Sequence, residues 1–323
     1  MKIGYAASTD AAATSIVAAA RAAEKAGFDE IWLPEDYCER GVFAIAGAVA
    51  GATREIHIGI GVINPWTRHP VLTAMEAASL DELSDGRSIL GIGASNERWM
   101  TGCLGIPFER PLSRTREAIG IIRDLLAGRR VQRWFGAYRL DAYLSSTPHR
   151  PDLPILLGAK GRRALSLASS HADGVLLSVL SAPRYITWAR EQTGDPNLQI
   201  TAYVLFACGP DAAMIRDRVR PTVAKYLGIH GEHDITLIAG LDPELCRLFR
   251  TRLLDGEPAA ELVTDDILDT FAIVGDPSQC EEGLARFHAA GADGLVLVGD
   301  PASNPTETAA AAALARRAGL MCS

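Results

Sequence analysis

The chain has no pair of cysteines at a metal-binding or redox spacing. Its six cysteines (Cys38, Cys103, Cys208, Cys246, Cys280, Cys322) form no CxxC and no Cys/His ligand pattern. That excludes the common zinc designs, so no metal is expected and the thiols read as reduced and structural. No apolar run reaches the roughly 20 residues a membrane helix needs. The opening MKIGYAASTD runs straight into a strand pattern without the apolar stretch of a secretion signal. No membrane partner is therefore expected, and the cytoplasm is the expected location. The Lys and Arg residues are scattered in a chain of formal net charge -7, which leaves no basic stripe for nucleic acid. Two phosphate signatures are missing as well. No glycine-rich loop ends in GKS or GKT, and no GxGxxG opens the helix after the first strand, so the P-loop and Rossmann readings fall away.

What is present is a rhythm. Across 323 residues, 48% of them apolar, short β-rich runs alternate with helical stretches. Strands are expected over 3–6, 29–33, 56–64, 88–93, 154–158, 174–179, 200–208 and 295–298. Helices are expected over 14–25, 43–52, 71–83, 113–126 (with Ser113 as its N-cap), 162–170, 184–192, 211–227 and 306–318. Apolar strands such as PILLG and LVLV suit a parallel sheet covered on both faces. Eight strand–helix repeats favour an α/β fold closed as a (β/α)8 TIM barrel, with an open doubly wound sheet as the alternative. Two segments exceed ordinary loop length, 135–154 and 229–274. Both read as walls or lids over the substrate side, and the second equally as a dimer contact.

In a barrel the chemistry sits at the C-terminal strand ends, which selects the candidates. Strand two ends in WLPEDY, where Glu35 and Asp36 offer acid/base groups or hydrogen-bond acceptors. Strand three ends in GIGVINPWTRHP: Gly59 and Gly61 suggest a bulge or a close backbone approach, Asn64 and Thr67 offer polar side chains, and His69 is a catalytic or structural histidine. Strand four ends in GIGASNERW, with Gly91, Gly93, Ser95, Asn96 and Glu97 at the mouth. Strand five ends in LLGAKGRR. Gly158, Ala159, Lys160 and Gly161 lead directly into a helix, with Arg162 and Arg163 adding positive charge. A helix N-terminus behind a glycine-rich turn is an anion site, and this is the best phosphate loop in the chain.

Taken together, AAEKAGFDEIWLPEDY, GIGVINPWTRHP, LDELSDGRSILGIGAS, LGIPFERPLSRTREAIGIIRDLLAG, PILLGAKGRRALSLASSHADGVLL and FAIVGDPSQCEEGLARFHAAGADGLVLV resemble the luciferase-like monooxygenase superfamily, and NPWTRHP its branch that uses coenzyme F420. The resemblance implies an oxidoreductase that moves hydride between the deazaflavin F420 and a small organic substrate. It implies a bulge in strand three with a non-prolyl cis peptide, carried here onto Gly61–Val62. It further implies that the cofactor phosphate lies at Gly158 to Gly161, with Asp36, Asn64 and Gly93 by the ring or its tail, and that the chain dimerises. An FMN-dependent monooxygenase with a separate reductase is the alternative, and a barrel without cofactor or catalysis is a third reading. The resemblance to methylenetetrahydromethanopterin reductases departs at Ala6 and Asn96, where those enzymes carry acidic residues, so it speaks more strongly for the cofactor than for that exact substrate.

Overall fold

In the computed structural model, residues 1–8, 10–36, 38–299 and 313–314 are described. Eight parallel strands close a barrel: β1 (Lys2–Ala6), β2 (Glu30–Leu33), β3 (His57–Ile63), β4 (Ser88–Gly93), β7 (Ile155–Gly158), β8 (Gly174–Leu177), β9 (Gln199–Cys208) and β11 (Gly294–Gly299), with β11 pairing back onto β1. Between β4 and β7 lies a two-stranded antiparallel hairpin, β5 (Val131–Arg133) and β6 (Leu140–Ala142). The intervening helices are α1 (Ala13–Ala26), α2 (Val42–Ala52), α3 (Pro70–Leu83), α4 (Pro111–Leu126), α5 (Arg162–His171), α6 (Pro183–Thr193), α7 (Ala212–His230), α8 (Asp234–Leu237), α9 (Pro243–Asp255), α10 (Asp265–Phe271) and α11 (Pro277–Ala289). The helix expected over 306–318 lies outside the described residues, save 313–314.

Three expectations need correcting. A further strand, β10 (Ala272–Gly275), begins inside the segment read as an insertion and closes it. It exists because β9 outruns its neighbour: β8 pairs with β9 only as far as Leu177↔Ala202, and β10 takes the vacated edge from Leu205↔Ala272 to Cys208↔Gly275. Helix α4 begins at Pro111, whose fixed φ suits a first helical position, so Ser113 is interior and donates to Glu117 at 3.3 Å instead of capping. Strand β8 stops at Leu177, because the chain turns through Leu180 at positive φ, with Ser181 Oγ donating to the Ser178 carbonyl at 2.6 Å.

One local device recurs at the barrel base. In GFDE, HADG and GADG the aspartate precedes a strand, and its carboxylate receives the first or second amide of a neighbouring strand. Asp29 takes Ile3 N at 2.7 Å, Asp173 takes Ile155 N at 2.8 Å and Asp293 takes Ile200 N at 2.8 Å. Each bond gives a partner to a backbone donor at the base of the barrel. Inside the barrel, Trp32, Ile89, Leu156, Leu176, Tyr203 and Val296 form a closed apolar cluster. The Trp32 indole donates to buried Glu30 at 2.7 Å, and Glu30 meets Lys2 at 3.1 Å. A Cβ on Gly59 would stand 2.3 Å from the indole, so this glycine serves the core and not a ligand.

Candidate active site

The end of β3 shapes the mouth. Ile60 pairs with Leu90 and Ile63 with Ile92, so Gly61 and Val62 together oppose the single residue Gly91. That is a bulge, and the Gly61–Val62 peptide within it is cis, at the bond the resemblance named. From inside the barrel the Tyr203 hydroxyl donates to the Gly61 carbonyl at 3.1 Å. The bulge throws the Val62 side chain across β4 and β7. A Cβ on Gly93 would lie 2.8 Å from Val62 Cγ2, and one on Gly158 would lie 3.0 Å from Val62 Cγ1. These glycines make room for Val62, which is left half-buried at the centre of the strand ends.

The loop after β3 is tied to itself. The buried Asn64 carboxamide accepts from Trp66 N at 3.0 Å and Thr67 N at 3.1 Å, and donates to Thr67 Oγ1 at 2.9 Å. Asn64 and Thr67 thus bond to one another in the turn. Arg68 donates from Nε to Glu35 at 2.8 and 2.9 Å and from Nη1 to Glu76 at 2.8 Å, and lies over the Phe43 ring. His69 caps α3, its Nδ1 accepting from Val71 N at 3.3 Å, and its ring meets Tyr138 edge-on. Burial, with Arg114 adding, pulls its pKa below the ordinary value. Tyr138, from the first long segment, donates to the Pro65 carbonyl at 2.9 Å. That segment therefore buttresses the loop.

Glu35 and Asp36 are neighbours in sequence with different fates. Glu35 is held by Arg68. Asp36 lies within electrostatic reach of Tyr203 on β9 and of Lys225 and Tyr226 on α7. Burial and the nearby Glu39 carboxylate raise the Asp36 pKa, with Lys225 opposing. After β4 the chain turns through Ser95 at positive φ, and Asn96 Oδ1 accepts from Trp99 N at 3.1 Å. Glu97 is exposed at the start of a π-helical turn, Arg98–Cys103. Ala6 ends β1 between Trp32 and Val298.

The loop after β7 is fixed from three sides. Ala159 N donates to the Leu176 carbonyl at 3.3 Å, the Tyr185 hydroxyl donates to the Lys160 carbonyl at 2.6 Å, and Gly161 is the N-cap of α5, with no side-chain hydrogen bond at that cap. Lys160 keeps solvent-exposed surface, while desolvation of its ammonium lowers its pKa. The end of α7 and the start of α8 fold over this loop. His230 bonds through Nε2 to the Val179 carbonyl at 2.9 Å, while its buried Nδ1 has no hydrogen-bond partner. Burial, helped by the Lys160 charge, pushes its pKa down to about 3, and the same two causes lower that of His233. Asp234 Oδ2 lies 3.7 Å from where a Cβ on Gly161 would stand. Sequence reasoning missed Tyr185, His230, His233 and Asp234. The signal available was HGEHD, with two histidines and two acids at the head of a long segment.

The profile of the luciferase-like monooxygenase family matches residues 1–294. The chain belongs to that family. A 5,10-methylenetetrahydromethanopterin reductase of Methanolobus tindarius is 33% identical over 279 residues, covering 81% of this luciferase-like chain and 83% of the reductase. An F420-dependent glucose-6-phosphate dehydrogenase of Amycolatopsis mediterranei is 32% identical over 324 residues, 93% of this chain and 92% of its own. Among solved structures, the coenzyme F420 dependent tetrahydromethanopterin reductase of Methanopyrus kandleri superposes with a TM-score of 0.85 at 26% identity, over 97% of each chain. The luciferase-like chain here thus shares its fold with a reductase of known structure and its sequence with reductases and dehydrogenases alike.

Proposed function

We propose that this luciferase-like protein is a coenzyme F420-dependent oxidoreductase that exchanges hydride with a small organic substrate, acting as a homodimer in the cytoplasm. The observation that carries the reading is the pairing of a bulged β3, backed by Tyr203, with an anion loop at Gly158–Gly161 beside it. The residues present fit the cofactor. Val62 offers an apolar floor for a flat ring, the α5 N-terminus and Lys160 suit a phosphate, and the unpartnered His230 Nδ1 is a buried acceptor in the same corner. When bound, the deazaflavin supplies hydride donation and acceptance at a ring carbon.

The chain's own residues do the rest. Asp36, kept protonated to higher pH than a free aspartate by burial and Glu39, holds the proton that accompanies hydride. Glu35 and Arg68 act as a pair that fixes the loop carrying Asn64 and His69. Gly93 contributes by seating Val62, while Ser95 and Glu97 line the rim and act on the substrate side. Among the described residues no helix is long and apolar enough to cross a membrane.

Titration with F420 and with FMN, followed by tryptophan fluorescence, tests the reading. Binding of F420 at least about tenfold tighter than FMN (a difference of ~1.4 kcal/mol) is expected. The reverse preference sinks the hydride-transfer reading and redirects work to oxygen consumption with a partner reductase.

A further inference from the structure

The sequence holds no cysteine pair at a redox spacing, yet the fold brings two cysteines together. Cys208 is the last residue of β9, and Cys280 lies near the start of α11. Strand β10 stands between them in the chain, at the edge of the sheet, with Gly275 opposite Cys208. Helix α11 is held close over this junction. A capping box fixes its start: Gln279 N donates to Asp276 at 2.9 Å, and Asp276 N donates to Gln279 Oε1 at 2.9 Å. Gly283 seats the helix on β10, since a Cβ there would lie 2.9 Å from Ile273 Cγ2. Cys280 Sγ thereby comes to 3.5 Å from the Ala207 carbonyl and 3.8 Å from the Gly275 carbonyl. The first of these precedes Cys208 in the chain and the second faces it across the ladder. The two thiols are in hydrogen-bond contact. Among the described residues no group of three or more His, Cys, Asp and Glu is arranged to hold a metal ion, so the chemistry open to these sulfurs is with each other.

The two thiols are not equivalent. Cys280 is fully buried, while Cys208 keeps 5% of its surface. Contact with Cys208 and burial push the Cys280 thiol up, so Cys280 holds its proton. We propose that Cys208 and Cys280 form a dithiol that hydrogen peroxide closes into a disulfide, stapling α11 to the end of β9. The Cys208 thiolate attacks one peroxide oxygen, the O–O bond breaks, and the other oxygen leaves as hydroxide and takes up the Cys208 proton as water. Cys208 is then a sulfenic acid. The Cys280 sulfur attacks the Cys208 sulfur, the S–O bond breaks, and the second water leaves with the Cys280 proton. Both sulfurs are oxidised, and the peroxide is reduced to two waters. Burial makes the reaction slow, because a thiol kept neutral is a poor nucleophile and the oxidant enters only as the edge strand opens. The pair is thus a staple set by sustained oxidation. The loop it closes, 209–279, carries α7 to α10, with Lys225, Tyr226 and His230. A crosslink over so long a loop removes much of the freedom of the unfolded chain.

The test incubates the full chain with excess hydrogen peroxide, blocks the remaining thiols with N-ethylmaleimide and digests with trypsin. Cys208 and Cys280 fall in separate tryptic peptides, 191–216 and 253–286. After oxidation the two should be recovered as one linked species that a reductant separates. The oxidised chain should also unfold at higher urea. At the midpoint of the reduced protein its unfolded-to-folded ratio should be at least about tenfold lower, and reductant should reverse the gain. Cys280→Ala should trap Cys208 as a sulfenic acid, captured by dimedone, and Cys208→Ala should leave Cys280 unoxidised. Neither variant should gain stability on oxidation. Should a variant fail to fold, the wild-type chain decides, since the linked peptide and the midpoint are both read on it. Peptides that stay unlinked once the exposed Cys38 and Cys103 are fully oxidised overturn the inference, and so does a linked species whose urea midpoint is unmoved or lower.

Discussion

At the scale of single residues, Glu35 and Asp36 show what adjacency in sequence conceals. Both are carboxylates at the end of β2, and composition and position give no reason to prefer either. Their surroundings in the fold separate them: a guanidinium thirty-three positions away takes Glu35, while burial and Glu39 act on Asp36. The partner of Glu35 could be guessed only by knowing that the loops after β2 and β3 lie side by side. The pH consequence follows from the direction of the shift. The raised pKa keeps Asp36 protonated above the ordinary 3.8. An acid that must donate its proton works below its pKa, so hydride delivery to substrate should decline as pH rises through the raised value. Asp36→Asn should lower turnover about 100-fold and abolish that limb of the profile, with F420 affinity changed little. Glu35→Gln should loosen the Arg68 loop and raise KM, yet leave the limb where it was. A limb that survives in Asp36→Asn would remove Asp36 from the proton path.

At the scale of elements, the glycines of β3, β4 and β7 were visible in the sequence, but their reason was not. A glycine in a strand signals close approach without saying what approaches. Here Trp32 approaches Gly59, and Val62 approaches Gly93 and Gly158. The bulge was legible because GIGVIN places glycines next to β-branched residues, whereas the direction in which Val62 is thrown needs the register with β4. Gly93→Ala should therefore force its methyl against Val62 Cγ2, where an ideal Cβ lies 2.8 Å away. Overpacking of this kind costs about 1–3 kcal/mol, read as a lower midpoint in urea unfolding. It should weaken cofactor binding too if, as proposed, the ring lies over Val62. Val62→Ala in the same chain should recover most of the stability, since it removes the methyls that collide. If Gly93→Ala is neutral, or if Val62→Ala does not rescue it, Val62 is not what the glycine accommodates. Two other elements were less legible. Strand β10 is four residues following a helix without a glycine or proline break, and α8 is a single turn, so neither gives a period long enough to read.

At the scale of the whole molecule, the alternating rhythm made the barrel legible, because eight strand–helix units leave few ways to cover a parallel sheet. What one chain's sequence does not mark is the surface left for a second copy, and the outer faces of the helices differ here. Helix α2 has no charged residue, and its exposed positions include Ala44, Ala48 and Gly51. Beside it, α3 exposes Leu72 (55%), Met75 (50%) and Leu83 (65%). A shallow small-residue face next to a ridge of large apolar side chains is self-complementary under a two-fold axis, each ridge meeting the partner's shallow face. The competing candidate is the second long segment, where Leu248 and Leu254 are exposed on α9. Helix α9 already packs against α7 within the chain, and its remaining surface is broken by Arg247, Arg250 and Arg252 in ion pairs and backbone hydrogen bonds. The proposed homodimer should therefore form through α2 and α3. Leu72→Glu with Leu83→Glu, both on exposed positions, should convert the protein to monomers in sedimentation while F420 affinity stays within about twofold, since a stable interface of roughly 800 Å² per partner tolerates few buried charges. Leu254→Glu should leave the dimer intact. If Leu254→Glu alone dissociates it, the two-fold lies on the α9 side, and the segment over 229–274 serves the interface as well as the phosphate corner.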